Sequence, residues 1–232
     1  MNAPEAVRPA APPAGDRLRP GAEAGFSIDS FLQRSRERLY PEPPPVGGAL
    51  ANPGGDHAVN GEPPPFDEAV ARPAAVLVPV VLRPEPTLLL TQRPASMRSH
   101  AGQVAFPGGK VDPEDGTPLN AALREAEEEI GLARRFVKPL GYLDPYITGT
   151  GYRIVPVVSV VEPGFRLQLN PDEVEAAFEA PLAFLMNPAN HELRASQWQG
   201  RMRRYWAMPW KERFIWGATA GIIHNLYRKF YG

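Results

Sequence analysis

The sequence predicts an α/β fold in which helices flank a mixed sheet, as in an α/β/α sandwich. Segments with the composition of strands alternate with helical segments from Ala74 to the end of the chain. The chain has 232 residues, of which 43% are hydrophobic, so it can bury one substantial core. Proline is concentrated before residue 75, which predicts a Pro-rich N-terminal extension ahead of a single domain.

The extension is predicted to span residues 1–66, and the folded domain residues 67–232. Residues 1–24 are rich in Ala and Pro and poor in large apolar groups, so we expect them to be disordered. Apolar residues at helical spacing predict a short helix at 27–39, and Pro/Gly-rich residues 43–65 form a second connector. The helix could dock on its own domain, pair with another subunit in a homodimer or bind a partner, and docking is favoured.

The domain is predicted to begin with a hairpin of two strands, 74–82 and 87–93. Pro79 predicts a bulge or an edge position in the first strand. Residues 103–106 lead into a Gly-rich loop. After the next helix, strands are predicted at 137–143, 152–161, 173–178, 192–195, 202–207 and 212–216, with a turn of helix from 181 to 184 and a closing helix at 219–230.

A Gly-rich loop containing Gly108 and Gly109 leads into this next helix, which is predicted to run from 118 to 130. Thr117 is a candidate N-cap, Pro118 suits the first helical position, and Gly131 suits the left-handed residue that ends a helix. The apolar residues of the helix cluster on one face, which we expect to pack on the core.

The helix also carries three carboxylates on a separate face. Glu125, Glu128 and Glu129 fall within an arc of roughly 100° on an ideal helix. Like charges at this spacing repel one another, and a bound cation would reverse the sign of that interaction. Carboxylate oxygens suit Mg²⁺ or Mn²⁺, ions that usually sit between carboxylates and substrate phosphates. A solvated acidic face is the alternative, and the preceding Gly-rich loop argues against it.

The loop and helix together resemble the Nudix box, the signature of hydrolases that cleave a nucleoside diphosphate linked to another group. The matching positions of its second half are Arg124, Glu125, Ala126, Glu128, Glu129, Gly131 and Leu132. The first half departs from the pattern. Asp115 stands where a Glu is expected, and eight residues rather than seven separate it from Arg124.

This longer box with Asp resembles the coenzyme A pyrophosphatase branch of the Nudix family. The signature that precedes the box in that branch is matched by Leu89, Leu90, Thr91, Arg93, Arg98, Gly102, Phe106, Pro107, Gly108 and Gly109, with Pro94 in place of the usual Ser or Ala. Later segments at 150–152, 170–174 and 215–220 are also similar. The resemblance implies a Nudix-type sandwich and hydrolysis of coenzyme A, or a derivative, into 3′,5′-adenosine bisphosphate and 4′-phosphopantetheine.

The resemblance also implies roles for single residues. Glu125, Glu128 and Glu129 would hold Mg²⁺ or Mn²⁺, with a further ligand from the Gly109 carbonyl. The general base would be Glu128 or Glu173, and Arg124 would orient the acidic residues. Candidate substrate contacts are Arg93, Arg98, Gly102, Phe106, Gly108 and Lys110, with His100 a weaker candidate.

The composition of the chain and one further segment exclude some classes of function and leave others open. The net charge of −1 gives no general attraction to nucleic acid or membranes, and the absence of cysteine removes disulfides and zinc–thiolate sites. With no long apolar run, we expect a cytoplasmic protein that does not contact membranes. The basic and aromatic segment 194–213 could bind RNA, although a half-exposed strand explains it better. A broader pyrophosphatase acting on ADP-ribose, NADH or capped RNA, and a nucleotide-sensing regulator, remain alternatives.

Overall fold

The computed structural model describes residues 26–46, 54–97, 100–198 and 200–232. Five helices and twelve strands occur in these ranges. The helices are α1 (Ile28–Arg38), α2 (Asp56–Val59), α3 (Pro118–Ile130), α4 (Leu182–Leu185) and α5 (Gly217–Tyr231). The strands are β1 (Gly54–Gly55), β2 (Arg72–Val81), β3 (Thr87–Gln92), β4 (Val104–Ala105), β5 (Gly108–Lys110), β6 (Val137–Tyr142), β7 (Tyr146–Ile147), β8 (Tyr152–Val161), β9 (Ala176–Pro181), β10 (Glu192–Trp198), β11 (Arg201–Trp210) and β12 (Arg213–Trp216).

Nine of these strands form one mixed sheet in the described part of the chain. Its order is β1-β7-β8-β2-β3-β4, with β5 beside β2, β6 beside β8 and β9 beside β3. The pairs β2–β8 and β1–β7 are parallel, and the other pairs of this sheet are antiparallel. Strands β10, β11 and β12 form a second, antiparallel sheet. The predicted α/β class with a mixed sheet is confirmed, as is the hairpin of β2 and β3.

Two apolar cores lie on opposite faces of the large sheet. The first contains buried residues of α5, α1 and β11, including Phe31, Leu226 and Met208. The second lies under α3 and contains Ala122 and Ile130. The sheet is therefore covered by helices on both faces, which is the predicted sandwich. No helix in the described ranges has the length and apolar character needed to cross a membrane.

Helix α3 begins and ends where the sequence predicts. The Thr117 side chain accepts a hydrogen bond from Asn120 N–H at 3.1 Å, which satisfies one of the unpaired donors of the first turn. Gly131 ends the helix in the left-handed region at φ 66°. The caps fix where the helix begins and ends, and the packing of its apolar residues in the second core sets the direction of its carboxylates.

Pro79 lies in the middle of the sheet, so the expected bulge or edge position is wrong. The parallel register of β2 with β8 continues through the pair Pro79–Ser159 without a shift. On its other side, β2 changes partner near this point. Leu77 N–H donates to Pro107 O at 2.8 Å, while Val80 pairs with Leu88 of β3. The missing N–H of proline is tolerated where one partner strand gives way to the next.

The expected strand 173–178 is also displaced, because β9 spans Ala176–Pro181. The chain before it is tied to the end of α3, since Asn170 N–H donates to Glu129 O at 2.9 Å. Pairing with β3 is preceded by a bond from Glu175 N–H to Gln92 O at 2.8 Å. Residues 170–174 therefore form a loop beside α3 rather than a strand.

The described residues before position 67 contact the body of the domain. The ring of Phe31 on α1 is fully buried, with its centroid 5.1 Å from that of Phe230 on α5. Strand β1 lies in the predicted connector 43–65 and pairs with β7. Arg153 donates to the carbonyls of Pro44 and Pro45 at 2.8 and 3.1 Å. Residues 1–24, predicted to be disordered, lie outside the described residues.

Candidate active site

The Gly-rich loop lies directly against the acidic face of α3. Gly108 N–H donates to the Glu129 carboxylate at 3.1 Å, and the φ angle of Gly108 is 155°. A Cβ atom at Gly109 would overlap the Glu125 carboxylate. Such a Cβ atom would displace the Glu125 carboxylate, and a Cβ atom at Gly108 would overlap the backbone of β2, which explains the Gly-Gly pair.

Three carboxylates meet at this point: Glu125, Glu129 and Glu173. Each offers a carboxylate oxygen, and these atoms all lie within 4.8 Å of one another. Glu173 reaches the helix from the 170–174 loop, in which Val174 N–H donates to Asn170 O at 2.8 Å. The side chain of Val174 is buried in the second core and anchors the loop. The sequence suggested Glu173 as a general base, but it gave no sign that Glu173 joins the two helix residues.

Burial makes this cluster electrostatically unfavourable without a counter-charge. Glu129 is only 3% exposed, and burial raises its pKa to about 8 although the Gly108 hydrogen bond opposes the shift. Burial also raises the pKa of Glu125, against the effect of Arg124. A divalent cation would relieve the desolvation and the mutual repulsion. The donor set of hard carboxylate oxygens fits Mg²⁺ or Mn²⁺.

Arg124 organises the other side of the helix. Its guanidinium donates to Asp115 at 2.9 and 3.0 Å, to Glu125 at 3.0 Å and to Glu128 at 2.9 Å. The hydrogen bond from Arg124 lowers the pKa of the buried Asp115 carboxyl and keeps it charged. Asp115, the position that departs from the box pattern, thus anchors Arg124. Arg124 in turn is hydrogen-bonded to Glu125, the contact that an orienting residue would make.

Glu128 is not part of the group of three carboxylates. Its side chain is 56% exposed and is held by Arg124 at the edge of the helix. Glu125 and Glu129 lie against the Gly-rich loop, whereas Glu128 is exposed and bonded to Arg124. Of the three acids that the helical periodicity groups together, two belong to the cluster, and Glu173 supplies its third carboxylate.

The predicted substrate contacts fall at different distances from the cluster. Arg93 lies at the end of β3, and its Nη1 atom is 4.0 Å from a Glu129 oxygen. Its Nε atom is buried and lacks a hydrogen-bond partner among the described residues. The Lys110 side chain is exposed, while its carbonyl accepts from Arg124 at 3.2 Å. Gly102 turns the chain at φ 66° before β4, and Arg98 lies outside the described residues.

Two other sequence candidates have structural contacts. Phe106 is 4% exposed and packs in the first core, and its contact with a substrate stays a prediction. The alternating pattern that precedes the loop places its ring inward, and the motif alone did not show this. His100 is exposed, and its Nδ1 lies 2.9 Å from Gln103 Oε1. That contact belongs to a loop rather than to the carboxylate cluster.

The basic and aromatic segment 194–213 is largely accounted for by packing. Trp206 stacks on His224 with ring centroids 3.9 Å apart, and Trp210 stacks on Phe178 at 5.7 Å. These contacts hold the small sheet against α5 and β9. They favour the half-exposed strand over an RNA-binding surface, as the sequence suggests.

Comparison with known proteins agrees with this geometry. A family model described as the NUDIX domain matches residues 71–202. The uncharacterized Nudix hydrolase NudL of Klebsiella pneumoniae is 40% identical over 205 residues, covering 88% of this chain and 95% of that protein. NudL of Escherichia coli K12 is 46% identical over 155 residues, covering 67% and 81% of the two chains.

Solved structures give a weaker match. An Ap4A hydrolase from C. elegans, solved as a binary complex, aligns with a TM-score of 0.41 and 23% identity over 47% of this chain and 80% of that one. The family model and the sequence relatives both extend over more than half of the chain and include the whole box. The chain therefore belongs to the Nudix family and is a Nudix pyrophosphohydrolase.

Proposed function

We propose that this Nudix enzyme hydrolyses the diphosphate of coenzyme A or one of its derivatives. Water adds to one phosphorus atom, the bridging P–O bond breaks, and the products are 3′,5′-adenosine bisphosphate and 4′-phosphopantetheine. The observation that carries the pyrophosphatase chemistry is the cluster of Glu125, Glu129 and Glu173 beside Arg93. The coenzyme A substrate is supported by the residues of the upstream signature. The cysteine-free chain suits a reducing compartment, so we place the enzyme in the cytoplasm.

Glu125 and Glu129 are the residues that would hold Mg²⁺ or Mn²⁺, together with Glu173 or Glu128 and the Gly109 carbonyl. When bound, such an ion neutralises the charge of the diphosphate and lowers the pKa of bound water. The closeness of the Gly109 backbone to the Glu125 carboxylate supports a contribution from its carbonyl. Arg124 keeps Glu125 in place through its bonds to Asp115 and Glu125.

The diphosphate would be bound by arginines on the other side of the cluster. Arg93 faces Glu129 at 4.0 Å, a distance that leaves the guanidinium without a short ion pair in the described residues. Its buried Nε donor is available to a phosphate oxygen. Arg98 and Lys110 come from the same signature and loop and would add positive charge, while Gly102 and Gly108 shape the backbone around the ligand.

Glu173 is the general base in this proposal, in preference to Glu128. Glu173 belongs to the carboxylate cluster, whereas the exposed Glu128 is already engaged by Arg124. General bases contribute roughly 10²- to 10⁴-fold to a rate. Replacing Glu173 by Gln should therefore lower kcat about 100-fold or more, and Glu128→Gln, the matched variant, should have the smaller effect. A larger loss in Glu128→Gln would assign the base to Glu128.

The substrate is tested by a side-by-side assay of coenzyme A, ADP-ribose, NADH and capped RNA with Mg²⁺ and with Mn²⁺. We expect the highest kcat/KM for coenzyme A or an acyl derivative, with the two products identified by mass. If coenzyme A is the poorest of the four substrates, the coenzyme A proposal is rejected in favour of a broader pyrophosphatase. Binding of a nucleotide without turnover of any of them would point to a ligand-sensing regulator instead.

A further inference from the structure

The outer edge of the small sheet is a β-strand without a partner in the described part of the chain. All seven residues of β10 pair with β11 in a continuous register, from Glu192–Ala207 to Trp198–Arg201. On its other side, β10 makes no hydrogen bond to any of the residues that the structure describes. Soluble proteins usually protect such edges with charged side chains, proline, a bulge or a covering segment. The strand has no proline or lysine and no shift of register, and its two charged residues, Glu192 and Arg194, neutralise each other in an ion pair at 2.6 Å.

The same hairpin exposes apolar side chains. Leu193 is 49% exposed and Met202 is 67% exposed, and only Val46 and Val70 are comparable among the large apolar residues of the described ranges. Met202 pairs with Gln197, which lies on the same sheet face as Leu193 because side chains two or four residues apart share a face. The free edge is therefore accompanied by apolar surface that the domain itself does not cover.

We propose that a second copy of this chain pairs with this edge, β10 against β10, about a two-fold axis through Ala195. The small sheets of the two copies then join into one antiparallel sheet. This arrangement satisfies the free N–H and C=O groups of both edges at once, because a two-fold axis makes the two surfaces self-complementary.

The proposed register follows from overlap and charge. With Ala195 on the axis, all seven residues of each strand face a partner, and Glu192 and Arg194 face Trp198 and Ser196 of the second copy. Placing Arg194 on the axis would set two guanidinium groups opposite each other, which is unfavourable. Placing Leu193 on the axis would leave only positions 192–194 paired within the strands. The register at Ala195 is the one with full overlap and no opposed like charges.

The dimer is independent of the catalytic proposal, since no residue of the carboxylate cluster lies in β10 or β11. The absence of cysteine makes a direct test available, because any introduced cysteine is the sole thiol of its chain. Directly opposed residues of antiparallel strands have Cα atoms about 4.5–5.5 Å apart, which suits a disulfide. The Cα atoms of residue 197 in the two copies would be about 13 Å apart in this register, which is too far for a disulfide.

The experiment compares Ala195→Cys with Leu193→Cys, Arg194→Cys and Gln197→Cys under mild oxidation at several protein concentrations. We expect at least about tenfold more covalent dimer for Ala195→Cys than for Gln197→Cys, with efficiency set by thiol access and approach. Sedimentation of the unaltered chain should show a reversible dimer. Thermal melting and turnover of each reduced variant verify that the fold is retained.

Other cross-linking patterns overturn the proposal. Preferential cross-linking of Leu193→Cys or Arg194→Cys would reject the register, and equal yields at all four positions would indicate random collision. A chain that sediments as a monomer at every concentration and forms no covalent dimer would reject the second copy as occupant. The edge would then be left for an extended peptide of another protein.

Discussion

Helices α3 and α5 cover opposite faces of the same sheet, but the surroundings of their polar groups differ. On α3, Glu125 and Glu129 are turned toward Glu173, and burial raises the pKa of both helix residues. The carboxylates repel one another in the folded chain. This arrangement costs stability and is explained by a ligand of opposite charge.

On α5 several polar groups have partners within the protein. Thr219 donates to Val104 O at 2.9 Å, and Lys229 pairs with Asp144 at 2.9 Å. His191 Nε2 must donate to Leu185 O at 2.7 Å, because a carbonyl only accepts. Its Nδ1 therefore accepts from Nδ1–H of His224, 3.0 Å away, and both rings are neutral.

The comparison teaches that a strongly shifted pKa does not by itself mark an active site. Burial lowers the pKa of His224 to about 4 and raises that of Glu129 to about 8. The two histidines are hydrogen-bonded to each other and packed within the protein, whereas the carboxylates face like charges that a cation would offset. The hydrogen-bond and charge partners of a buried group, rather than the size of its pKa shift, indicate whether it serves packing or ligand binding.

The largest expected effect is the loss of stability when the packing of α1 on α5 is removed. Phe31→Ala should lower the free energy of unfolding by about 3–5 kcal/mol, because it leaves a cavity beside Phe230. Thermal melting measures the loss, and deletion of residues 1–45, which removes α1, should act in the same direction. Deletion of residues 1–24 is the control and should leave the melting temperature and turnover nearly unchanged. An unaltered melt after the longer deletion would show that α1 contributes no stability.

Breaking the carboxylate cluster should remove activity but not stability. Glu129→Gln should lower turnover by about 10²- to 10³-fold, the usual cost of losing one catalytic electrostatic group. In the presence of a chelator its melting temperature should equal or exceed that of the unaltered chain, because folding no longer requires a carboxylate to be buried or protonated.

The matched control is Glu127→Gln. Glu127 lies on the same helix but is 51% exposed and pairs with Arg134. It should retain nearly full turnover. Full activity of Glu129→Gln, or full activity of the unaltered enzyme in excess chelator, would contradict the assignment of the cluster.

The smallest expected effect is the change in stability with pH that arises from the pair His191 and His224. The pKa of His224 is lower in the folded chain than in the unfolded chain, so the unfolded chain takes up the proton first as pH falls. The His224 contribution to stability is therefore full above about pH 6.5 and decreases between pH 6.5 and pH 4. After allowance for partial exposure, the loss of this contribution at pH 5 is about 1 kcal/mol, or about 2–4 °C in melting temperature. The raised pKa of Glu129 changes stability in the opposite direction over this range, so the His224 contribution is measured as the difference between the unaltered chain and a His224 variant.

His224→Phe should reduce this slope, while His191 still contributes to it because burial lowers its pKa as well. Melting curves at constant ionic strength between pH 7 and pH 5 measure the difference. An identical slope in the unaltered chain and in His224→Phe would mean that other groups control the acid side of the stability profile.

Local signals in the sequence predicted the box region well. The cap at Thr117 and the stop at Gly131 depend on residues close together in the chain, and the structure reproduces both. Strand positions were predicted to within a few residues for β3, β6 and β8. The main displacement, β9, arose because residues 170–174 are fixed by hydrogen bonds to α3, a contact that the local pattern does not contain.

Long-range pairings were the part that the sequence did not reveal. Nothing in the chain predicted that Glu173 would complete the cluster with Glu125 and Glu129. The pairing of β1 with β7 inside an expected connector, and the contact of His191 with His224, also join distant segments. These contacts could not be predicted from residue spacing, because an isolated hydrogen bond or bridge produces no repeating pattern in the sequence.

The parallel pairing of β2 with β8 has a consequence for how the enzyme acquires its activity. Each residue of β2 lies beside the one about 80 positions later, as Arg72 does with Tyr152. The whole Gly-rich loop and α3 lie between these strands in the chain, and Glu173 follows the second strand. The chain must therefore close this large loop before the three carboxylates can meet. On a ribosome, the catalytic centre would remain unassembled until most of the protein has emerged.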